Sequence, residues 1–137
     1  PGIVSRMDEK YLGGHNTEKL GNAFTATISK KPSEFFGTNI FVGASTPSTE
    51  EIQRRHEIGV HAFMWGNDFP HPEGTWPHTA KAIAEAFADV PPDEAARMLG
   101  ANAAEVYRFD LEKLRPVAAR IGPTRTDVHG ASVARPT

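Results

Sequence analysis

Two short apolar runs with one capped helical stretch between them constrain this chain more than any other feature. Asn39-Ile40-Phe41-Val42-Gly43-Ala44 and Val60-His61-Ala62-Phe63-Met64-Trp65-Gly66 are rich in β-branched and aromatic residues. Both are nearly continuous in apolarity rather than alternating, the pattern of strands covered on both faces. Between them Ser48 and Glu51 have capping-box spacing, and the helix they open, over 49–58, stops at Gly59. Strand, helix and strand in so short a span form a βαβ unit, so the two strands are predicted to be parallel and the fold class α/β.

The rest of the chain is read around that unit. Ile3, Met7 and Tyr11 recur every four residues, which predicts a short amphipathic helix ended by Gly13 and Gly14. Residues 15–33 read as a long connection with at most one short strand, near Phe24–Ile28. Pro32-Ser33-Glu34 enters a helical turn that carries Phe35 and Phe36, both read as packing anchors. Beyond the second strand, residues 67–77 form a loop punctuated by three prolines and a glycine. Pro77 suits the first position of a helix that runs to about Ala88 and packs through Ala80, Ile83, Ala84 and Phe87. Pro91-Pro92-Asp93 starts another, over 93–99, ended by Gly100. Asn102 is placed as the cap of a short helix reaching Tyr107, and Asp110 as the cap of the next, with Leu111, Leu114, Val117, Ala118 and Ile121 on its inner face. One domain, 1–121, is then followed by a tail, 122–137, expected to be mobile.

Composition bounds the function. With 137 residues and 39% apolar side chains, the chain suits one globular domain, and 12 glycines with 11 prolines make it rich in turns. Fifteen basic against 17 acidic side chains leave a net charge of −2, no field for nucleic acid or an anionic membrane. No apolar run reaches the ~18 residues of a membrane span, and no secretion leader is read. The absence of cysteine excludes disulfides, thiolate metal sites and cysteine nucleophiles, and is compatible with a reducing cytoplasm, the expected location.

Chemistry concentrates in Trp65-Gly66-Asn67-Asp68-Phe69-Pro70-His71-Pro72-Glu73-Gly74-Thr75-Trp76-Pro77-His78. Asp68 directly follows a buried strand, where a carboxylate at the mouth of a parallel sheet can ligate a metal or accept a proton. His71, three residues on, could ligate, shuttle a proton or bind substrate, and Gly66 would let a ligand approach the backbone. The residues alone leave a second reading open, in which Asp68 caps a turn and His71 is an ordinary loop residue. Glu73, His56 and His78 read as solvated, His61 as facing either the sheet mouth or solvent, and His15 and His129 as loop or tail. There is no glycine-rich phosphate loop, Gly-x-Ser-x-Gly elbow, His-x-His or His-Glu-x-x-His.

The stretch Met64–Pro77 resembles the eighth-strand signature of the amidohydrolase-related family, the branch that includes aminocarboxymuconate semialdehyde decarboxylase. Its pattern is an apolar strand, then Gly-Ser-Asp-aromatic-Pro-His, often followed by Pro-Glu-Gly; Asn67 stands where serine is commoner. Met98–Asp110 resembles the family's closing Gly-x-Asn-Ala segment, and Pro32–Phe36 is similar to the segment before the seventh strand. The resemblance implies the carboxy-terminal part of a (β/α)8 TIM barrel: about the last two strands and the helices after them, over roughly residues 1–122. It implies a metal-dependent hydrolase acting on a small organic substrate through a metal-activated water. Asp68 is then metal ligand and general base, and His71 a catalytic or substrate-binding neighbour. The implied ion is zinc, with manganese as the second choice. Decarboxylation of a small carboxylic acid on the same scaffold, or a non-catalytic assembly module, are the alternatives. A barrel needs about 250 residues, and the first-strand ligands are not in this chain. The expected partners are therefore a separate chain carrying the N-terminal barrel portion, or further copies of this one, and the enzyme is expected to be inactive without those strands.

Overall fold

The computed structural model describes residues 2–13 and 28–129. The connection expected over 15–33, and its strand near Phe24–Ile28, fall largely outside the described residues. Strands β1, Val42–Ser45, and β2, Phe63–Gly66, pair in parallel with Val42 opposite Phe63 and Ser45 opposite Gly66. Both begin later than expected. Ile40 bridges Phe36, and its carbonyl takes the Gly37 N–H at 2.9 Å. Val60–Ala62 is a 3-10 turn whose Ala62 N–H bonds Gly59. These backbone groups are engaged locally, so the ladder starts only beyond them.

Helix α2, Thr49–Gln53, opens with a full capping box: Ser48 Oγ accepts from Glu51 N at 3.2 Å, and Glu51 Oε2 accepts from Ser48 N at 2.9 Å. The chain continues as a 3-10 turn, Arg55–Glu57, to Gly59 at φ 104°, a left-handed conformation suited to glycine. Helices α3, Thr79–Phe87, α4, Pro92–Ala96, and α5, Asn102–Val106, follow, with α4 and α5 fused by a π turn over Arg97–Ala101. Helix α3 starts two residues past Pro77, and His78 stands at its cap. Helices α6, Leu111–Ile121, and α7, Arg125–His129, complete the described chain. The amino-terminal helix α1, Gly2–Gly13, is tied on by Ser33 N–H to Asp8 Oδ1 at 2.9 Å and Tyr11 Oη–H to the Ile28 carbonyl at 3.0 Å.

One core joins Ile52, Phe63, Ile83, Ala86, Phe87, Val90, Ala95, Met98 and Val128, with Ala44, Trp65 and Leu99 against it. Phe63 and Trp65 therefore face the helices, which leaves Met64 and Gly66 with Gly43 and Ser45 on the other face. There the expectation of two covered faces is corrected: Gly43 and Ser45 are exposed, and a Cβ at Gly43 or Gly66 would meet no atom within 4 Å. The α/β class stands, but the described residues form a two-stranded sheet, not a barrel.

Three other expectations are revised. Neither Gly100 nor Asn102 marks a helix end, because the π turn carries the helix through both. Asp110 does cap α6, accepting from Lys113 N at 3.2 Å, but that helix buries none of its apolar residues. The order of the chain also runs past 121. Thr124 and Asp127 cap α7 reciprocally, and Val128 enters the core at 7% exposure.

Candidate active site

The loop after β2 is built on backbone carbonyls. Asn67 O accepts from Thr75 N at 3.0 Å, Asp68 O from His71 N at 2.7 Å and His71 O from Gly74 N at 2.9 Å. Gly74 is what the loop closes on: a Cβ there would lie 2.6, 3.0 and 3.1 Å from the carbonyl oxygens of Asn67, His71 and Asp68. Gly66, singled out from the sequence, sits in open space instead. The loop is framed by Phe69 and Trp76, packed edge to face at 5.5 Å, and its Phe69-Pro70 and Trp76-Pro77 bonds are both cis.

Asp68 stands two residues past the carboxyl end of β2 with φ 59°. Thr46, directly after β1, has φ 47°, so both strands leave the same rim of the sheet through a left-handed residue. Aspartate tolerates that conformation; a β-branched threonine does so only under strain, which accumulates at functional rims. The turn is capped by its neighbour: Asn67 Oδ1 accepts the Phe69 N–H at 3.0 Å. Among the described residues the charged partner of the Asp68 carboxylate, 44% exposed, is His71, with Oδ2 3.6 Å from Nδ1. That imidazole nitrogen also accepts the Glu73 N–H at 3.3 Å, so neutral His71 carries its proton on Nε2. Asp68 and His71 thus stand side by side at the mouth of a parallel sheet, His71 Nδ1 bonded to the loop backbone and the Asp68 carboxylate not used in capping the turn.

The remaining histidines do not join them. His56 Nε2 lies 3.5 Å from Glu94, His78 occupies the position before α3 without a side-chain capping bond, His129 ends α7, and His61 sits before the opposite, amino end of β2; His15 is outside the described residues. Among the described residues no group of three or more His, Asp or Glu converges as a metal cage.

Asn102 was misread from sequence. It is 1% exposed, and its Nδ2 donates to the carbonyls of Val60 and Phe63, both at 2.7 Å, while Oδ1 accepts from Arg97 Nε at 2.9 Å. It therefore anchors the entry to β2, the strand that delivers Asp68.

The family model described as amidohydrolase matches residues 32–109, more than half of the chain. The chain belongs to the amidohydrolase family. The match takes in both strands, the Asp68 loop and Asn102 of this amidohydrolase, and stops before α6. Membership carries metal-dependent enzyme chemistry in general terms. No curated protein matches the chain. No helix among the described residues is long and apolar enough to cross a membrane.

Proposed function

We propose that this amidohydrolase is the carboxy-terminal part of a (β/α)8 barrel of the aminocarboxymuconate semialdehyde decarboxylase-like branch, and that it hydrolyses a small organic substrate with Asp68 at the reacting centre. The observation that carries the reading is the exposed Asp68 carboxylate just beyond the carboxyl end of a parallel strand, beside His71. Barrel enzymes of this kind place their chemistry at that rim.

Zinc or manganese would be the ion at this rim. A carboxylate and an imidazole suit either ion, but two donors fall short of the three protein ligands a catalytic zinc takes. Asp68 is accordingly proposed as one ligand, the others coming from strands outside this chain, on a separate chain or further copies. A divalent ion would supply water acidified towards neutral pH. The chain's own contribution is the proton: Asp68 takes it as the water oxygen attacks and returns it to the leaving group. His71, 3.6 Å away, holds the substrate or relays that proton. Decarboxylation would use the same rim with the proton delivered to carbon.

The test is the metal content of the purified assembly, with Asp68→Asn as the variant, since asparagine keeps the left-handed backbone and loses the charge. Near-stoichiometric zinc or manganese, reduced in Asp68→Asn at an unchanged melting temperature, is expected. Equal metal in both proteins would remove Asp68 from the site. The small ligand set favours a second reading, a non-catalytic assembly module; metal-free protein that still assembles would establish it instead.

A further inference from the structure

At the other end of the sheet, beside the amino ends of the strands, lies a cleft of about 310 Å³ lined mainly by polar groups, among them Thr38, His61, Arg97, Asn102, Glu105 and Arg108. It is separated from the Asp68 loop by the length of β2, roughly 10 Å at ~3.3 Å per residue. Its lining carries two guanidinium groups and an imidazole against one carboxylate. That carboxylate, on Glu105, is already bonded to Arg97 Nη2 at 2.9 Å, and Arg97 Nε is bonded to Asn102. The Arg108 guanidinium has no hydrogen bond or ion pair among the described residues, so the cleft retains an uncompensated positive charge and a full set of donors.

Two backbone features hold these cations at the cleft. Arg108 has φ 54°, a left-handed conformation that an arginine adopts at a cost. Arg97 opens the π turn, a form that costs regular helix bonding and recurs at functional positions. A planar fork of donors lining a half-open, mainly polar cleft of this size matches an oxyanion with two or more oxygens.

We propose that this cleft binds a small organic oxyanion, a carboxylate or a phosphate ester, at a site separate from the Asp68 loop. Arg108 is its principal ligand, and Arg97 and His61 are secondary ones.

The probes are inorganic phosphate and succinate, each against potassium chloride at matched ionic strength, read by calorimetric titration and thermal melting of the whole chain. Saturable binding with a raised melting temperature is expected; phosphate alone acting would assign phosphate esters, succinate alone carboxylates. Arg108→Gly separates binding from folding, since glycine relaxes the left-handed backbone while deleting the guanidinium. That variant should keep or raise its unliganded melting temperature and bind at least tenfold more weakly. Lys113→Ala, which removes a cation elsewhere, should bind as wild type. No saturable effect beyond that of chloride, unchanged binding in Arg108→Gly, or an equal loss in Lys113→Ala would each overturn the proposal.

Discussion

Asn102 shows why single residues mislead when read locally. Asparagine is a strong helix cap, and its place after Gly100 invites that reading. Its real partners lie 39 and 42 residues away, the carbonyls of Phe63 and Val60. No local propensity encodes them. Asn102→Ala would leave both carbonyls without these donors, and at about 1–3 kcal/mol per buried unpaired group the loss should be about 2–4 kcal/mol, measured by urea denaturation. Gly74 was legible only as part of a motif; its reason, three carbonyl oxygens where a Cβ would go, is tertiary. Gly74→Ala should cost about 1–3 kcal/mol and disturb the Asp68 loop, seen as shifted amide resonances at 67–75. The placement of Asp68 just past a strand, by contrast, was legible because the apolar run before it ends within a few residues. Sequence left open whether its side chain capped the turn, and Asn67 does that instead.

Among the elements, caps were the most legible because they are local. Ser48 with Glu51 and Asp110 with Lys113 form as their spacing predicts. The Glu51 carboxyl is held below its usual 4.5 by the Ser48 backbone N–H and then by the Ser48 hydroxyl. The Thr124 side chain and then its backbone N–H hold Asp127 below 3.8. Both carboxyls have folded values below their unfolded ones. Their stabilisation is therefore complete above about pH 5 and is lost as pH falls through the folded values. Glu51→Gln should flatten the acid limb of stability between about pH 5 and pH 3, read as the urea midpoint against pH. The α7 cap was missed because the apolar residues after Gly122 are few and show no helical period. The burial of Val128 makes Val128→Ala cost about 1–2 kcal/mol, a fall in melting temperature that a floppy tail would not show. Helix α6 fails in the other direction: its stripe is periodic, yet Leu111, Leu114, Val117 and Ile121 are 42–73% exposed. Periodicity reports that a face needs cover, not where the cover comes from.

At the scale of the molecule, the two-stranded parallel sheet of the described residues, with Gly43 and Ser45 exposed on one face, is a poor stopping point. Together with the α6 stripe it predicts that the isolated chain associates, with a weight-average mass in sedimentation that rises with concentration. A monodisperse monomer with one cooperative melt would instead mean that the unit is self-sufficient and that the barrel reading fails. By itself the sequence determined the α/β class, the parallel βαβ unit, its helix caps and the position of Asp68 after a strand, because each rests on spacing within a few residues. Only the tertiary structure decided which sheet face the helices cover, that Asn102 pins β2, and that Val128 is core while α6 is bare. Each of these depends on surfaces that meet across long stretches of chain, and burial belongs to the pair of surfaces, not to either sequence alone.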